Sequence, residues 1–237
     1  MKRMLITGAT SGIGLALTKL ACERGYKVIA CGRNKDKLET LKAELDIEVL
    51  SFDVTDKATC RQALSTVQAD IFVLNAGTCE YLDVDAWDSA LFTRVFDTNF
   101  FGVVYCLDAL VPKLKSGNQL VLVDSLARLL PFTKAQAYGA SKAAVHYLAR
   151  SLEVDLEGRG IKVQTVSPGF VKTPLTDKNS FEMPMRIDAD QAANSLLNGI
   201  EKGKRQICFP FVFSTFIRLL ALLPEAWQIS LCKRMKV

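Results

Sequence analysis

Histidine is nearly absent from this 237-residue chain; His146 is the only one. The seven cysteines (Cys22, Cys31, Cys60, Cys79, Cys106, Cys208 and Cys232) form no C-x-x-C pair, and their number is odd. One imidazole and no paired thiols exclude a zinc set, so no metal ligand is nominated. Most of the cysteines lie in apolar segments and read as small buried hydrophobes in a reducing, cytoplasmic compartment. No run of five or more like charges occurs, although the net charge is +5. Without a concentrated basic patch interleaved with aromatics, nucleic-acid partners are excluded. The mild positive balance suits small anions such as phosphates. No uninterrupted apolar run approaches the ~20 residues that span a bilayer. The greasiest stretch is broken by Pro210 and Arg218 and ended by Pro224. Met4-Leu5-Ile6 stops at Thr7-Gly8, too soon for a signal peptide, and reads as a first strand.

What the chain does contain is an ordinary globular balance, 49% apolar and 23% charged, with length for one sizeable domain over residues 1–237. Strand-like segments are read at residues 2–7, 27–31, 48–52, 70–74, 119–124, 161–166 and 206–209. Helices are read at 13–24, 35–45, 56–68, 85–115, 143–157 and 188–202. Strand and helix alternate, and strands such as Ile71-Phe72-Val73-Leu74 are apolar without alternation. Strands buried on both faces look like this, so the reading is α/β, a parallel sheet covered by helices.

Three places carry chemistry. Thr7-Gly8-Ala9-Thr10-Ser11-Gly12-Ile13-Gly14 joins the first strand to the first helix. Its glycines let the backbone turn sharply toward a ligand, and the helix N-terminus offers N–H groups to a pyrophosphate. The spacing is Gly-x-x-x-Gly-x-Gly, not the more familiar Gly-x-Gly-x-x-Gly. After the second strand stand Arg33 and Asn34, with no acid. An acid would hold ribose hydroxyls and repel a 2′-phosphate; a guanidinium attracts one, so NADP(H) is favoured over NAD. Finally, Tyr138 and Lys142 are one helical turn apart. An ammonium beside a phenol lowers the phenol pKa and makes it a usable acid or base.

These motifs, with Asp53-Val54, Asn75-Ala76-Gly77, Asn99, Ser125 and Pro168-Gly169-Phe170-Val171-Lys172-Thr173, resemble those of the short-chain dehydrogenase/reductase family over about the first four-fifths of the chain. The resemblance implies a Rossmann-like doubly wound parallel sheet of about seven strands, helices on both faces. It implies catalysis by Asn99, Ser125, Tyr138 and Lys142, with Asn99 positioning a water in a proton path to Lys142. It implies a cofactor cradle of Gly8, Thr10, Ser11, Gly12, Ile13 and Gly14. Arg33 and Asn34 would take the phosphorylated ribose, and Asp53 and Val54 the adenine. Asn75, Ala76 and Gly77 would line the adenosine ribose, and Tyr138 and Lys142 the nicotinamide ribose. Pro168, Gly169, Val171 and Thr173 would face the nicotinamide. The function implied is hydride transfer between NADP(H) and a carbonyl or secondary alcohol, hydrophobic in character, by a homodimer or homotetramer. Two rivals are a non-catalytic NADP-binding sensor or scaffold on the same fold, and a sugar-nucleotide epimerase. The retained Tyr138 and Lys142 argue against the first, and the glycine spacing and short C-terminal portion against the second.

The chain departs from the family pattern at Asp124, where a second serine is frequent, and at Arg128, where glycine is common; Arg128 is expected to point into solvent. His146 lies one further turn along from Lys142 and is expected to serve helix packing or a subunit contact. Residues 174–190, with Phe181, Met183, Pro184 and Met185, are read as an apolar substrate lid. Residues 207–237 form an apolar extension. Packing in the core or an oligomer is its first reading; the others are a cover for an apolar substrate pocket and peripheral docking on an anionic membrane through Arg218, Lys233, Arg234 and Lys236.

Overall fold

A computed structural model describes residues 1–177, 183 and 185–235. The chain lays down β1 (Arg3–Thr7), α1 (Gly12–Glu23), β2 (Lys27–Gly32), α2 (Lys35–Glu44), β3 (Glu48–Ser51), α3 (Lys57–Leu64) and β4 (Ile71–Leu74). Then come α4 (Ser89–Phe96), α5 (Gly102–Leu110), β5 (Gln119–Val123), α6 (Gln136–Leu156) and β6 (Lys162–Pro168). A small parallel pair, β7 (Val171–Lys172) and β8 (Ile187–Asp188), precedes α7 (Ala189–Glu201), β9 (Gln206–Phe209), α8 (Phe211–Leu220) and α9 (Glu225–Arg234).

Seven strands form one parallel sheet in the order β3-β2-β1-β4-β5-β6-β9. The alternation of side chains along each strand divides the core in two. Met4 and Ile6 face α1 and α7, meeting Leu17, Ala21, Leu196 and Ile200. Leu5 faces the other way, onto Cys106 and Leu110 of α5 and Val145 and Ala149 of α6. Each such fully buried Leu or Ile contributes about 1.5–3 kcal/mol by leaving water. Both faces are covered, as the unalternating strands predict. The chain runs outward from β1 to β3, then returns to place β4 on the other side of β1. That reversal opens a crevice beyond the carboxyl ends of β1 and β4, where sheets of this kind bind ligands.

The helix N-termini are treated unequally. Asn34 caps α2 by accepting from Lys37 N–H at 2.9 Å, and Asp56 caps α3 from Ala58 N–H at 2.9 Å. A capping box of Asp188 and Gln191 closes α7. Ser11, at the start of α1, makes no side-chain cap, and the first turn of α1 carries no acid. Its N–H groups remain available at the crevice.

Two stretches differ from the sequence reading. Residues 85–115 are not one regular helix: a π-helical turn, Asp97–Phe101, separates α4 from α5. The turn reads Asp97-Thr98-Asn99-Phe100-Phe101, and spacing alone does not mark the extra residue. The tail, to which the sequence reading assigned no helices, folds into two of them, α8 and α9. Of the expected lid, Phe181 and Pro184 lie outside the described residues.

Candidate active site

The phosphate-side turn is built from main chain brought close to main chain. Gly8 has φ +69°, a conformation that glycine adopts without strain. A Cβ on Gly14 would sit 2.2 Å from the Gly8 carbonyl oxygen, so α1 can approach the turn only through a bare Cα. Asn75 locks this from below: its N–H donates to Thr7 Oγ1 at 2.9 Å, and its Nδ2 to Thr7 O at 3.0 Å. Ala76 N–H donates to the same hydroxyl at 3.1 Å. Thr7 was not singled out in the sequence beyond its place in the turn, yet it ties β1 to β4 at the crevice.

Arg33 and Asp53 meet at 3.6 Å across the ends of β2 and β3. Arg33 is 76% exposed, so its guanidinium can leave that carboxylate for another anion. Burial raises the Asp53 pKa, but bonds from Thr55 and the nearby guanidinium outweigh it and hold the carboxyl below its usual value. Asn34 is committed to the α2 cap. On the other flank, Thr173 approaches Gly12, since a Cβ on Gly12 would lie 3.0 Å from Thr173 Cγ2. The segment after β6 therefore closes on the phosphate turn. The Val171 side chain is buried in the core, and its carbonyl accepts from Thr176 Oγ1 at 2.6 Å. Gly169 packs against Phe213, and its N–H donates to Phe209 O at 2.7 Å.

Ser125, Tyr138 and Lys142 converge from two elements. Ser125 ends the rim of β5; its Oγ accepts from Ala127 N–H at 3.1 Å and donates a long 3.5 Å bond to Pro168 O. Its hydroxyl is also in hydrogen-bond reach of the Tyr138 phenol. Lys142 is almost fully buried and donates to Val123 O at 3.0 Å. Asn99 sits in the π turn with no exposed surface. Its Oδ1 accepts from Thr78 N–H at 2.7 Å, and its Nδ2 donates to Thr78 O and Ser141 Oγ, both at 2.9 Å. Ser141 Oγ donates to Tyr138 O at 2.8 Å. Ser141 and Thr78 had no signal of their own in the sequence; they link Asn99 to the helix that carries Tyr138 and to the loop after β4.

The electrostatics correct one expectation. Lys142 does not bring the Tyr138 phenol below its ordinary value. Burial dominates and pushes the phenol up; charge on Cys79 and Asp124 adds to this, and the bond with Ser125 opposes it. The same burial lowers Lys142 to about 8, with Asp124 and Cys79 pulling back upward. Desolvation penalises whichever form is charged, so it drives a phenol and an ammonium in opposite directions.

Arg128 also departs from expectation. Its side chain is only 10% exposed and its Nε donates to Asp124 Oδ2 at 3.2 Å. The Asp124 carboxylate, wholly buried, takes His146 Nδ1 on the same oxygen at 2.6 Å. A buried carboxylate demands partners, and this one draws Arg128 inward from the loop and His146 from α6. His146 thus serves internal packing. Asp124 Oδ1 has no hydrogen-bond partner among the described residues.

Leu126 and Leu130, just past Ser125, join Phe213 and Ile217 of α8 and Cys232 of α9 in a separate apolar cluster, with Phe170 against it. A cleft of about 470 Å³ lies nearby, lined by Leu82, Asp83, Pro131, Gln136, Ile229 and Lys233 among others. None of Ser125, Tyr138 or Lys142 lines it, so it is outside the reacting centre.

A family model for short chain dehydrogenases matches residues 2–183. An uncharacterized oxidoreductase of Myxococcus xanthus is 31% identical over 244 residues, covering 98% of this chain and 96% of its own. A short chain dehydrogenase of Burkholderia cenocepacia in complex with NADP superposes with a TM-score of 0.87 at 24% identity, covering 97% of both chains. A short-chain dehydrogenase of Sphingobium yanoikuyae in complex with NADPH gives 0.82 at 23% identity, covering 95% of this chain and 98% of its own. With the sheet order, the glycine turn and the Ser125, Tyr138 and Lys142 cluster already in view, the matched span makes the chain a member of the short-chain dehydrogenase/reductase family of oxidoreductases.

Proposed function

We propose that the protein is an NADP(H)-dependent reductase of carbonyl compounds, able in reverse to oxidise secondary alcohols. The observation that carries this reading is the Tyr138 phenol in reach of Ser125, one turn from buried Lys142, at the rim that the glycine turn shares. The cofactor fits on this chain's own features: a turn that a Cβ at Gly14 would fill, and a helix N-terminus left without cap or acid. Bound there, NADPH would supply the hydride. Gly8, Thr10, Ser11, Gly12, Ile13 and Gly14 hold its pyrophosphate, and Arg33, with Asn34 beside it, faces a 2′-phosphate. Asp53 and Val54 take the adenine side; Asn75, Ala76 and Gly77 line the adenosine ribose. Pro168, Gly169, Val171 and Thr173 border the nicotinamide. NADP(H) in the two solved relatives supports the choice of cofactor.

Ser125 donates to the substrate carbonyl oxygen, and Tyr138 delivers the proton there. A phenol held above its ordinary pKa by burial is protonated at neutral pH, the state that carbonyl reduction needs. The Lys142 ammonium balances the phenolate left behind and holds the nicotinamide ribose. Asn99 fixes the loop after β4 to α6. Since Thr78 and Ser141 engage both ends of its side chain, its main-chain carbonyl is the group for a water on the path to Lys142. The apolar cluster of Leu126, Leu130 and Phe213 favours a hydrophobic substrate. Exposed Phe101, Tyr147 and Val154 support self-association through the π turn and α6, as a dimer or tetramer. Seven unpaired thiols suit a cytoplasmic setting.

The test is NADPH oxidation with a panel of apolar ketones, aldehydes and diones, alongside Tyr138→Phe. Turnover by the wild type and its loss in the variant are expected. A variant with full rate would remove Tyr138 from the proton step.

A further inference from the structure

α8 is apolar on both sides, and only one side is covered. Phe213, Ser214 and Ile217 are buried, two of them against Leu126, Leu130 and Cys232. On the opposite side Val212, Phe216 and Leu219 stand at i, i+4 and i+7, a single stripe, and all are exposed. Phe211 at 79% exposed and Leu222 at 81% flank the stripe, and Trp227 of α9 adds a ring at 65%. A helix that is apolar all round is normally enclosed, and contiguous exposed patches of this kind mark an interaction surface.

We propose that this face docks on the surface of an anionic lipid bilayer, with α8 lying in the headgroup plane. The charge pattern selects the occupant. Between Phe211 and Met235 the charged residues are Arg218, Lys233 and Arg234 against Glu225 alone, three cations to one anion, net +2. A second copy of the chain would bring this excess against itself. An anionic headgroup layer complements it, each cation near such a surface contributing about 1 kcal/mol. Length agrees: ten residues of helix reach about 15 Å, half of a ~30 Å hydrocarbon core, so α8 can lie on a bilayer but not cross it. Tryptophan and phenylalanine beside basic residues are the composition of an interfacial helix. The self-association face proposed above is elsewhere, on the π turn and α6. The inference goes beyond the oxidoreductase reading and does not depend on it.

The test is co-sedimentation of the full chain with phosphatidylglycerol-rich and with pure phosphatidylcholine vesicles. In a Trp87→Phe background Trp227 is the only tryptophan, and its emission should shift to the blue on the anionic vesicles alone. Phe216→Ser with Leu219→Ser should reduce partition more than tenfold. Arg218→Gln, Lys233→Gln and Arg234→Gln should each reduce it about fivefold, and added salt should act in the same direction. All five positions are exposed, so thermal melts should match the wild type. Equal sedimentation with both vesicle types, or none with either, overturns the proposal. So does a fall in oligomer mass for the Phe216/Leu219 variant by light scattering, which would assign the face to a second copy. NADPH oxidation of soluble ketones is measured on the same samples, so failure of docking and failure of the enzymatic reading are read separately.

Discussion

The first four strands and those from β5 onward contribute to the site in different materials. From β1 to β4 the rim is mainly backbone: the Gly8 turn, the bare Cα of Gly14, the uncapped N–H groups of α1, and Asn75 bracing Thr7. From β5 onward it is side chain: Ser125, Tyr138, Lys142, and the buried carboxylate of Asp124 with Arg128 and His146 around it. A phosphate group is satisfied by N–H groups aimed at one point, which any sequence with the right glycines can supply. Proton transfer requires particular functional groups whose acidity the surroundings set.

The largest effect should fall on the side-chain half. Tyr138→Phe is expected to lower kcat for carbonyl reduction by about 10³-fold while NADPH affinity, by fluorescence titration, stays within about twofold of wild type. A parallel loss of affinity would erase the division. Gly14→Ala should do the reverse. Its Cβ would collide with the Gly8 carbonyl, weakening NADPH by about 10²-fold and lowering stability by about 1–3 kcal/mol, with the proton step intact at saturation. Arg33→Ala tests the side chain assigned to the 2′-phosphate in the backbone half: NADPH should weaken about tenfold or more and NADH stay unaffected. Equal changes for both cofactors would assign Arg33 to the Asp53 contact alone.

The smallest effects are in pH. Burial sets Lys142 at about 8, so the ammonium is present below that pH and lost above it. kcat/KM for reduction should therefore be level below about pH 8 and decline above it. The Asp124 carboxylate supports that ammonium. Asp124→Asn should move the declining limb to lower pH, and an unmoved limb would show that Asp124 serves packing only.

The two halves were also unequally legible. The glycine turn and the strands were readable because local rules dictate them: apolar runs for strands buried on both faces, glycine where backbones touch. The placing of Tyr138 near Ser125 followed from their position at the rim. Arg128 was misjudged although its partner Asp124 stands only four residues back: the spacing does not show that the Asp124 carboxylate is wholly buried and draws the guanidinium inward. The effect of Lys142 on Tyr138 was misjudged for a related reason. Spacing gives proximity, but not the depth of burial that outweighs it. The two tail helices could be seen as apolar, while which of their faces is covered depends on Leu126 and Leu130.

The π turn at Asp97–Phe101 holds one residue more than a regular helix would need. Deleting that residue would let α4 run into α5 as one regular helix, with Cys106 and Leu110 still on the sheet. The cost would fall on Asn99, whose hold on Thr78 depends on the turn. The surplus residue thus acts on one side chain: a deletion there should spare the fold more than a deletion in α4 or α5, which would turn the following residues by about 100°.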